Sequence, residues 1–346
     1  MGAQTAICSG RFFRGPPFGF ADASWALASA ADAPGHLGWS PTMLKVVIAG
    51  DRGSGKTTFL GMLYATGVRS GSDKRDEFRF HAPYESLEEI TGLFERLMSG
   101  GFPDRATKEG IRGVKFQIGS RRSGLLSRFR DREWDPSGFV TVRFTLLRAV
   151  EEEVSRLLKG SVVAKDQMHE VLDGDVVAVL VDSTKLAARG ERDAPSPMGK
   201  FDQAIEWLFA VTYRLGSHPG RNLIHPLFVF TKFDRVGRDV LRAAKVGAKP
   251  PPVGRRSERA AYAEALLRHN LPRTLARIRE RDGGRVIFAR PSYFFAWLRT
   301  ASTGAGAPEK VLLRRVGVGG WEPEYSRDEY LAFLSCLQGI APHVGG

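Results

Sequence analysis

An apolar run that ends in a glycine-rich turn constrains this chain more than any other feature. The stretch LKVVIAGDRGSGKTTFL, Leu44 to Leu60, predicts a buried strand, a tight turn and a helix that covers about Gly55 to Thr66. Its central part, Gly50 to Thr57, matches the pattern G-x-x-x-x-G-K-[ST] without deviation. A strand that leads through such a turn into a helix predicts an α/β sheet.

The residue types in this stretch suit a bound phosphate chain. Glycines let the backbone adopt positive φ, so that successive N–H groups point inward, and the following helix aims its positive dipole end at the same point. Lys56 can reach the β- and γ-phosphate oxygens, and the Thr57 hydroxyl can bind Mg²⁺. Arg52 has two interpretations. It is either an internal arginine finger that stabilises charge on the phosphates, which makes it a catalytic candidate together with Lys56, or it is a solvent-facing side chain of the loop. The predicted nucleotide-binding residues of this loop are Gly50, Asp51, Arg52, Gly53, Ser54, Gly55, Lys56, Thr57 and Thr58.

Strand and helix patterns alternate through the rest of the chain. RGVKFQIG and FVTVRFTLL alternate like the two strands of an antiparallel hairpin, and DVVAVLVD, HPLFVFTKFD and GRVIFARPSYFFA read as buried strands between helices. The closing segment predicts a helix with a capping box formed by Ser326 and Glu329. This order predicts a three-layer α/β P-loop NTPase fold, with a mostly parallel central sheet, one antiparallel hairpin and helices on both faces.

The same patterns divide the chain into two parts. Residues 1–42 show no sustained period and are expected to form a flexible N-terminal extension. Residues 43–346 are expected to form a single domain with insertions at about 67–110, 120–137, 236–256 and 300–322.

A second motif lies at the end of a later strand. FVFTKFD places Thr231, Lys232 and Asp234 at the carboxyl end of a buried strand, where ligands bind in such sheets. An aspartate there can accept hydrogen bonds from N1–H and the 2-amino group of guanine, whereas adenine presents no such pair of donors. The stem of Lys232 can lie over the base plane. Asp234 is therefore predicted to select guanine, and Thr231 and Lys232 are predicted to bind the nucleotide beside it.

With both motifs in place, the chain resembles the P-loop GTPases of the Ras and translation-factor (TRAFAC) class over about Leu44 to Leu337. The N-K-x-D motif of that class is close to the segment Thr231–Asp234. The resemblance implies bound GTP or GDP with Mg²⁺, a guanine-contacting serine at Ser292 in ARPSYFF, and a switch threonine at Thr107 that binds Mg²⁺. The Gly-aromatic-Pro-x-x-x-Thr loop around Thr107 also looks like the bacterial double-GTPase families linked with conflict and defence systems.

One motif of that class is missing. P-loop GTPases of that class have the motif D-x-x-G after the second hairpin strand. In FTLLRAVEEEV, Arg148 stands in place of the aspartate and Glu151 in place of the glycine, and no glutamine is nearby to orient a water. GTP hydrolysis, if the protein is an enzyme, is therefore expected to be slow or dependent on a partner. Asp182 keeps two interpretations: it ends a strand without a metal role, or it is the Walker B carboxylate of a P-loop ATPase and binds Mg²⁺.

Composition adds two expectations about partners and location. The net charge of +13 favours nucleic acid or an acidic surface as a partner, although it is also consistent with an ordinary solvated basic surface. A non-catalytic binding module is therefore a third possible function, besides the guanine-nucleotide switch and the P-loop ATPase. An unidentified protein partner is expected in the switch hypothesis. The longest apolar run, Val176 to Val181, is too short to cross a bilayer. Without a recognisable secretory signal, and with Cys8 and Cys336 read as reduced, the expected location is the cytoplasm.

Overall fold

The structure is a computed structural model, and its described residues all lie within the compact unit Pro41–Gly346. The ranges described are 43–70, 78–103, 113–120, 139–158, 172–188, 198–215, 223–280, 286–302, 309–316 and 320–341. The predicted N-terminal extension, the predicted switch threonine Thr107 and the connection of the predicted hairpin lie outside these ranges.

Eight of the described strands form one sheet. They are β1 Met43–Gly50, β2 Phe78–His81, β3 Gly113–Ser120, β4 Phe139–Leu146, β5 Val176–Asp182, β6 Leu223–Thr231, β7 Ile287–Phe288 and β8 Ser292–Phe295. The order across the sheet is β2-β3-β4-β1-β5-β6-β7, and β8 also pairs with β6. The pairs β4–β1, β1–β5, β5–β6, β6–β7 and β6–β8 are parallel. The pairs β3–β4 and β2–β3 are antiparallel.

The sheet confirms the predicted hairpin and adds a strand that was not predicted. Val114 lies opposite Phe144 in the β3–β4 pair, as the alternating pattern requires. β2 is only four residues long, too short for its alternation to be distinguished from a loop. The predicted last strand is also divided into β7 and β8, which follow one another along β6.

Helices cover both faces of this sheet. They are α1 Lys56–Ser70, α2 Tyr84–Met98, α3 Val150–Leu158, α4 Gly199–Leu215, α5 Arg238–Ala243, α6 Arg256–Asn270, α7 Pro272–Arg279 and α8 Arg327–Ile340. Pro272 begins α7 instead of bending one long helix, because proline lacks the N–H that a helix interior needs but fits the first helical position. Two small hairpins precede α8, formed by β9 Thr300–Ala301 with β10 Lys310–Val311 and β11 Leu313–Val316 with β12 Gly320–Pro323. No helix in the described ranges is long and apolar enough to cross a membrane.

Successive residues of the central strands enter opposite cores. Val47 and Ala49 of β1 pack in one core with side chains of α4, α6 and α7. Val46 and Ile48 pack in the other core with side chains of α1, α2 and α8. This alternation is the strand period of two, and it produces the predicted three layers of helix, sheet and helix.

The last helix begins where the sequence predicts, but the predicted capping box is wrong. Ser326 precedes α8 without a side-chain cap, and its Oγ accepts a hydrogen bond of 2.9 Å from the backbone N–H of Trp297. A carboxylate oxygen of Glu329 accepts one of 2.9 Å from the N–H of Phe295 and forms a buried ion pair of 2.5 Å with Arg259. Both side chains therefore hold the end of β8 instead of the helix start, because they meet unpaired amides of an edge strand there.

Candidate functional site

The carboxyl ends of three neighbouring strands meet at the glycine-rich loop. Gly50 of β1 lies level with Leu180 of β5, and Asp182 of β5 lies level with Thr231 of β6. The sheet order therefore brings the loop and the Thr-Lys-x-Asp segment to the same edge, as predicted for a ligand site.

Each glycine of the loop motif has a conformational or steric reason. Gly53 and Gly55 have φ of 80° and 83°, in the region that side chains disfavour, although a Cβ there would meet nothing within 4 Å. A Cβ on Gly50 would lie 2.5 Å from Ser54 Oγ and 3.1 Å from the carbonyl oxygen of Leu180. The loop is thus a tight curl that closes against β5.

Lys56 lies inside this curl. It is only 9% exposed, and its Nζ donates hydrogen bonds to the carbonyl oxygens of Gly50 (2.9 Å) and Asp51 (2.8 Å). Burial lowers the pKa of Lys56 from 10.5 to about 8, and the charge of Asp51 partly opposes this effect. In the described part of the chain, the hydrogen bonds of this buried ammonium go to neutral carbonyl groups, which makes it a favourable place for an anion.

The Thr-Lys-x-Asp segment is hydrogen-bonded to the loop. Thr231 Oγ1 donates to the carbonyl oxygen of Ser54 at 2.8 Å, and Lys232 Nζ donates to that of Gly53 at 2.9 Å. Lys232 also has a left-handed backbone, with φ of 53°, and forms an ion pair of 2.6 Å with Asp182. These donors fix two carbonyl groups of the loop. Within the loop, the Ser54 N–H donates to the carbonyl oxygen of Asp51 at 3.1 Å and the Arg52 N–H donates to the Asp51 carboxylate, so an anion-binding nest here would use the remaining amides of the loop and the first turn of α1.

Asp182 has protein partners at both carboxylate oxygens. It is 3% exposed; Oδ1 accepts from the backbone N–H (3.1 Å) and the hydroxyl (2.7 Å) of Thr184, and Oδ2 contacts Lys232. This arrangement favours the interpretation of Asp182 as a structural anchor without a metal role. No group of three His, Cys, Asp or Glu side chains suited to a metal occurs in the described part of the chain.

Asp234 lies at the exposed end of a firmly packed turn. Its neighbour Phe233 is buried, with its ring 4.8 Å from that of Phe295, and the Phe233 N–H donates to the carbonyl oxygen of Ala296 at 3.2 Å. Partial desolvation raises the pKa of Asp234, although the adjacent charge of Arg235 opposes the shift. The carboxylate is therefore available to a ligand while its backbone is fixed.

Ser292, predicted to contact guanine, is not brought to this edge. It begins β8 opposite Leu227, and its hydroxyl lies close enough to the Cys336 thiol to lower the pKa of that thiol, against the larger effect of burial. Because β8 runs parallel to β6, Ser292 lies three residues before Phe295, about 10 Å from the carboxyl edge at the usual rise of a strand. The residue next to the Thr-Lys-x-Asp segment is instead Ala296, which a serine-based pattern does not reveal.

The other predicted residues of the loop are also placed. Arg52 is exposed at the tip of the turn, and Thr57 and Thr58 are half-buried in the first turn of α1. The first amides of a helix have no partner within it, so this turn can donate to phosphate oxygens. Thr107, the other predicted Mg²⁺ residue, lies outside the described residues.

The segment after β4 departs from the switch pattern in structure as well as in sequence. Arg148 is exposed, and α3 begins at Val150, so Glu151 lies in its first turn. Desolvation raises the pKa of Glu151, and the charge of Asp51 in the loop adds to this shift. An acidic first turn of a helix therefore lies near the loop, at the place where the sequence lacks the D-x-x-G motif.

Sequence reasoning missed one side chain at this site. Lys185, three residues after Asp182, forms an ion pair with the carboxylate of Asp51. Its position in a 3₁₀ turn after a buried strand matches no motif, and only the pairing of β1 with β5 brings it to the loop.

No protein-family model matches the chain, and no curated protein matches it. Similar solved structures include the GTPase-like domain of S. cerevisiae Ski7 bound to GDP and inorganic phosphate, at 15% identity and a TM-score of 0.33 over 73% of this chain. The septin GTPase domain from Chlamydomonas reinhardtii shows 14% identity and a TM-score of 0.35, and covers 89% of this chain and 95% of its own. The chain spans only 43% of the Ski7 chain. At these low similarities, the strand order and the loop geometry carry the assignment to the P-loop fold.

Proposed function

We propose that this protein binds guanine nucleotides with Mg²⁺ and acts as a GTPase-like switch or scaffold. The observation that carries the proposal is the pair of hydrogen bonds from Thr231 and Lys232 to the loop carbonyl groups of Ser54 and Gly53. These bonds fix the distance between a phosphate cradle and the carboxylate of Asp234. A site with one anion-binding end and one acidic end suits a nucleotide whose base carries two N–H donors.

Each end has residues for its part of the ligand. The amides of the loop and the buried Lys56 would hold the phosphates, and Thr57 would contribute its hydroxyl to Mg²⁺. At the other end, the Nζ of Lys232 is held by the carbonyl oxygen of Gly53 and the carboxylate of Asp182, and the methylene groups of its stem would lie against the base. Asp234 would then accept hydrogen bonds from the edge of guanine.

Hydrolysis in this proposal is weak or depends on a partner protein. Arg148 and Glu151 replace the residues that would hold Mg²⁺ and contact the γ-phosphate, and α3 begins within this segment. Thr107 is proposed as the second Mg²⁺ residue because of its position in the sequence. The bacterial double-GTPase families, a cytoplasmic location and an acidic partner belong to the same proposal and rest on the sequence alone.

The substitution Asp234→Asn tests the base assignment through a change of specificity. Asparagine presents one donor and one acceptor, so it matches xanthine, which has an N1–H donor and a 2-carbonyl acceptor, instead of guanine. We expect the variant to lose about 100-fold in GTP affinity, the effect of two hydrogen bonds to a charged acceptor, and to gain affinity for XTP. The control is Asp239→Asn, at an exposed aspartate of α5. Unchanged GTP affinity in Asp234→Asn would contradict the base assignment.

A further inference from the structure

One lysine outside the motifs lies against the phosphate loop. Lys185 ends the 3₁₀ turn Ser183–Lys185, which directly follows β5. Its Nζ forms an ion pair with Asp51 Oδ2 and lies 3.5 Å from the carbonyl oxygen of Arg52. The side chain of Lys185 is 43% exposed, and that of Asp51 is 21% exposed.

Among the described residues, three lysines contact this loop, and of these Lys185 has the most exposed ion pair. Lys56 is buried beneath the loop, and Lys232 is held by the buried carboxylate of Asp182. Lys185, in contrast, is paired with a partly exposed carboxylate, and exposed ion pairs contribute little net stability. A phosphate group, with more negative charge and three acceptor oxygens, can therefore replace or share the contact with Asp51.

Charged groups of both signs surround this part of the loop. The carboxylates of Asp51 and Glu152 and the ammonium of Lys185 all act electrostatically on Lys56. Glu151 lies close enough to Asp51 and Lys185 to be affected by both. Lys200 also acts on Glu151, so the surrounding carries charges of both signs; the carboxylates in it would repel a terminal phosphate, and Lys185 would offset that repulsion in addition to the proposed Mg²⁺.

We propose that Lys185 binds the terminal phosphate of the nucleotide and that Asp51 positions it above the loop. The inference rests on the proposed function, because it assigns a further residue to the same site. If Lys185 contacts the terminal phosphate, the 3₁₀ turn after β5 distinguishes a nucleoside triphosphate from a diphosphate. Asp51 keeps the lysine in place before the nucleotide arrives, and it competes with the phosphate for the same ammonium group.

Two substitutions separate these roles. Lys185→Met removes the charge from an exposed side chain and is expected to weaken GTPγS binding about tenfold, the loss of one charge-assisted contact, with GDP binding almost unchanged. Asp51→Asn keeps a side-chain oxygen that can hold Lys185 in place but removes the competing negative charge, so it is expected to increase the ratio of GTPγS to GDP affinity. Adding Lys185→Met should cancel this gain. Lys249→Met, at an exposed lysine between α5 and α6, is the matched control.

The experiment measures dissociation constants of fluorescent GTPγS and GDP for wild type and variants, with thermal unfolding as a check on folding. A loss of triphosphate preference in Lys185→Met alone supports the inference. An unchanged preference, or an equal loss for both nucleotides, overturns the inference while the proposed function stands. If the wild-type protein binds neither nucleotide, the proposed function fails and this inference fails with it.

Discussion

The buried Lys56 should take up a proton when a nucleotide binds, and the size of this uptake follows from its pKa. Burial lowers the pKa of Lys56 to about 8, so in the nucleotide-free protein about a quarter of the molecules have a neutral lysine at pH 7.5 and about three quarters at pH 8.5. Phosphate oxygens beside the ammonium would restore the ordinary pKa of 10.5 or raise it further. Binding should therefore take up about 0.25 proton at pH 7.5 and about 0.75 proton at pH 8.5.

Isothermal titration of GDP in buffers of different ionisation enthalpy measures this number directly. Because protons are taken up, affinity should fall by about threefold between pH 7.5 and pH 8.5. The Lys249→Met protein, which changes a lysine away from the loop, should show the same uptake as wild type. An uptake that is zero at both pH values would refute the claim that the phosphates bind next to a buried, partly neutral Lys56.

Three further predictions address other parts of the account. Asp182→Ala should weaken GDP binding by about tenfold even without Mg²⁺, because Lys232 loses its buried partner; a Walker B role would instead reduce turnover and leave Mg²⁺-free affinity unchanged. Glu329→Gln should lower the free energy of unfolding in urea by about 3 kcal/mol, because Arg259 keeps a buried charge without its partner; a loss below about 1 kcal/mol would show that the pair is dispensable. Since desolvation raises the pKa of Asp234 above its ordinary 3.8, and guanine needs the carboxylate, GTP affinity should begin to fall at a higher pH than an ordinary aspartate would cause as the solution is acidified. Competition binding should show no such fall for ATP.

The parts of the fold that follow from local pattern could be predicted from the sequence. The β1–loop–α1 unit has a motif in which each residue type has its own physical reason. The strand β6 ends in the Thr-Lys-x-Asp segment, one strand–helix unit after β5. The β3–β4 hairpin has alternating strands long enough to recognise. These elements are sufficient to predict the sheet and the edge at which a ligand would bind.

The rest depends on contacts between residues far apart in the chain. The pair Arg259–Glu329 joins α6 to α8 across the edge strand, and nothing local distinguishes Glu329 from the capping residue that was predicted. Ser292 was misplaced because the sequence shows where a strand occurs but not how far it extends along its neighbour. Lys185 reaches the loop only because β5 pairs directly with β1.

The central claim is that the phosphate loop and Asp234 form one site for a guanine nucleotide. Calorimetric titration of the wild-type protein with GTP and then with ATP, both with Mg²⁺, tests it most directly. The account predicts binding of GTP with an affinity about 100-fold higher than that for ATP, from two hydrogen bonds to one carboxylate. Equal affinity for GTP and ATP, or no heat of binding with either, would contradict it.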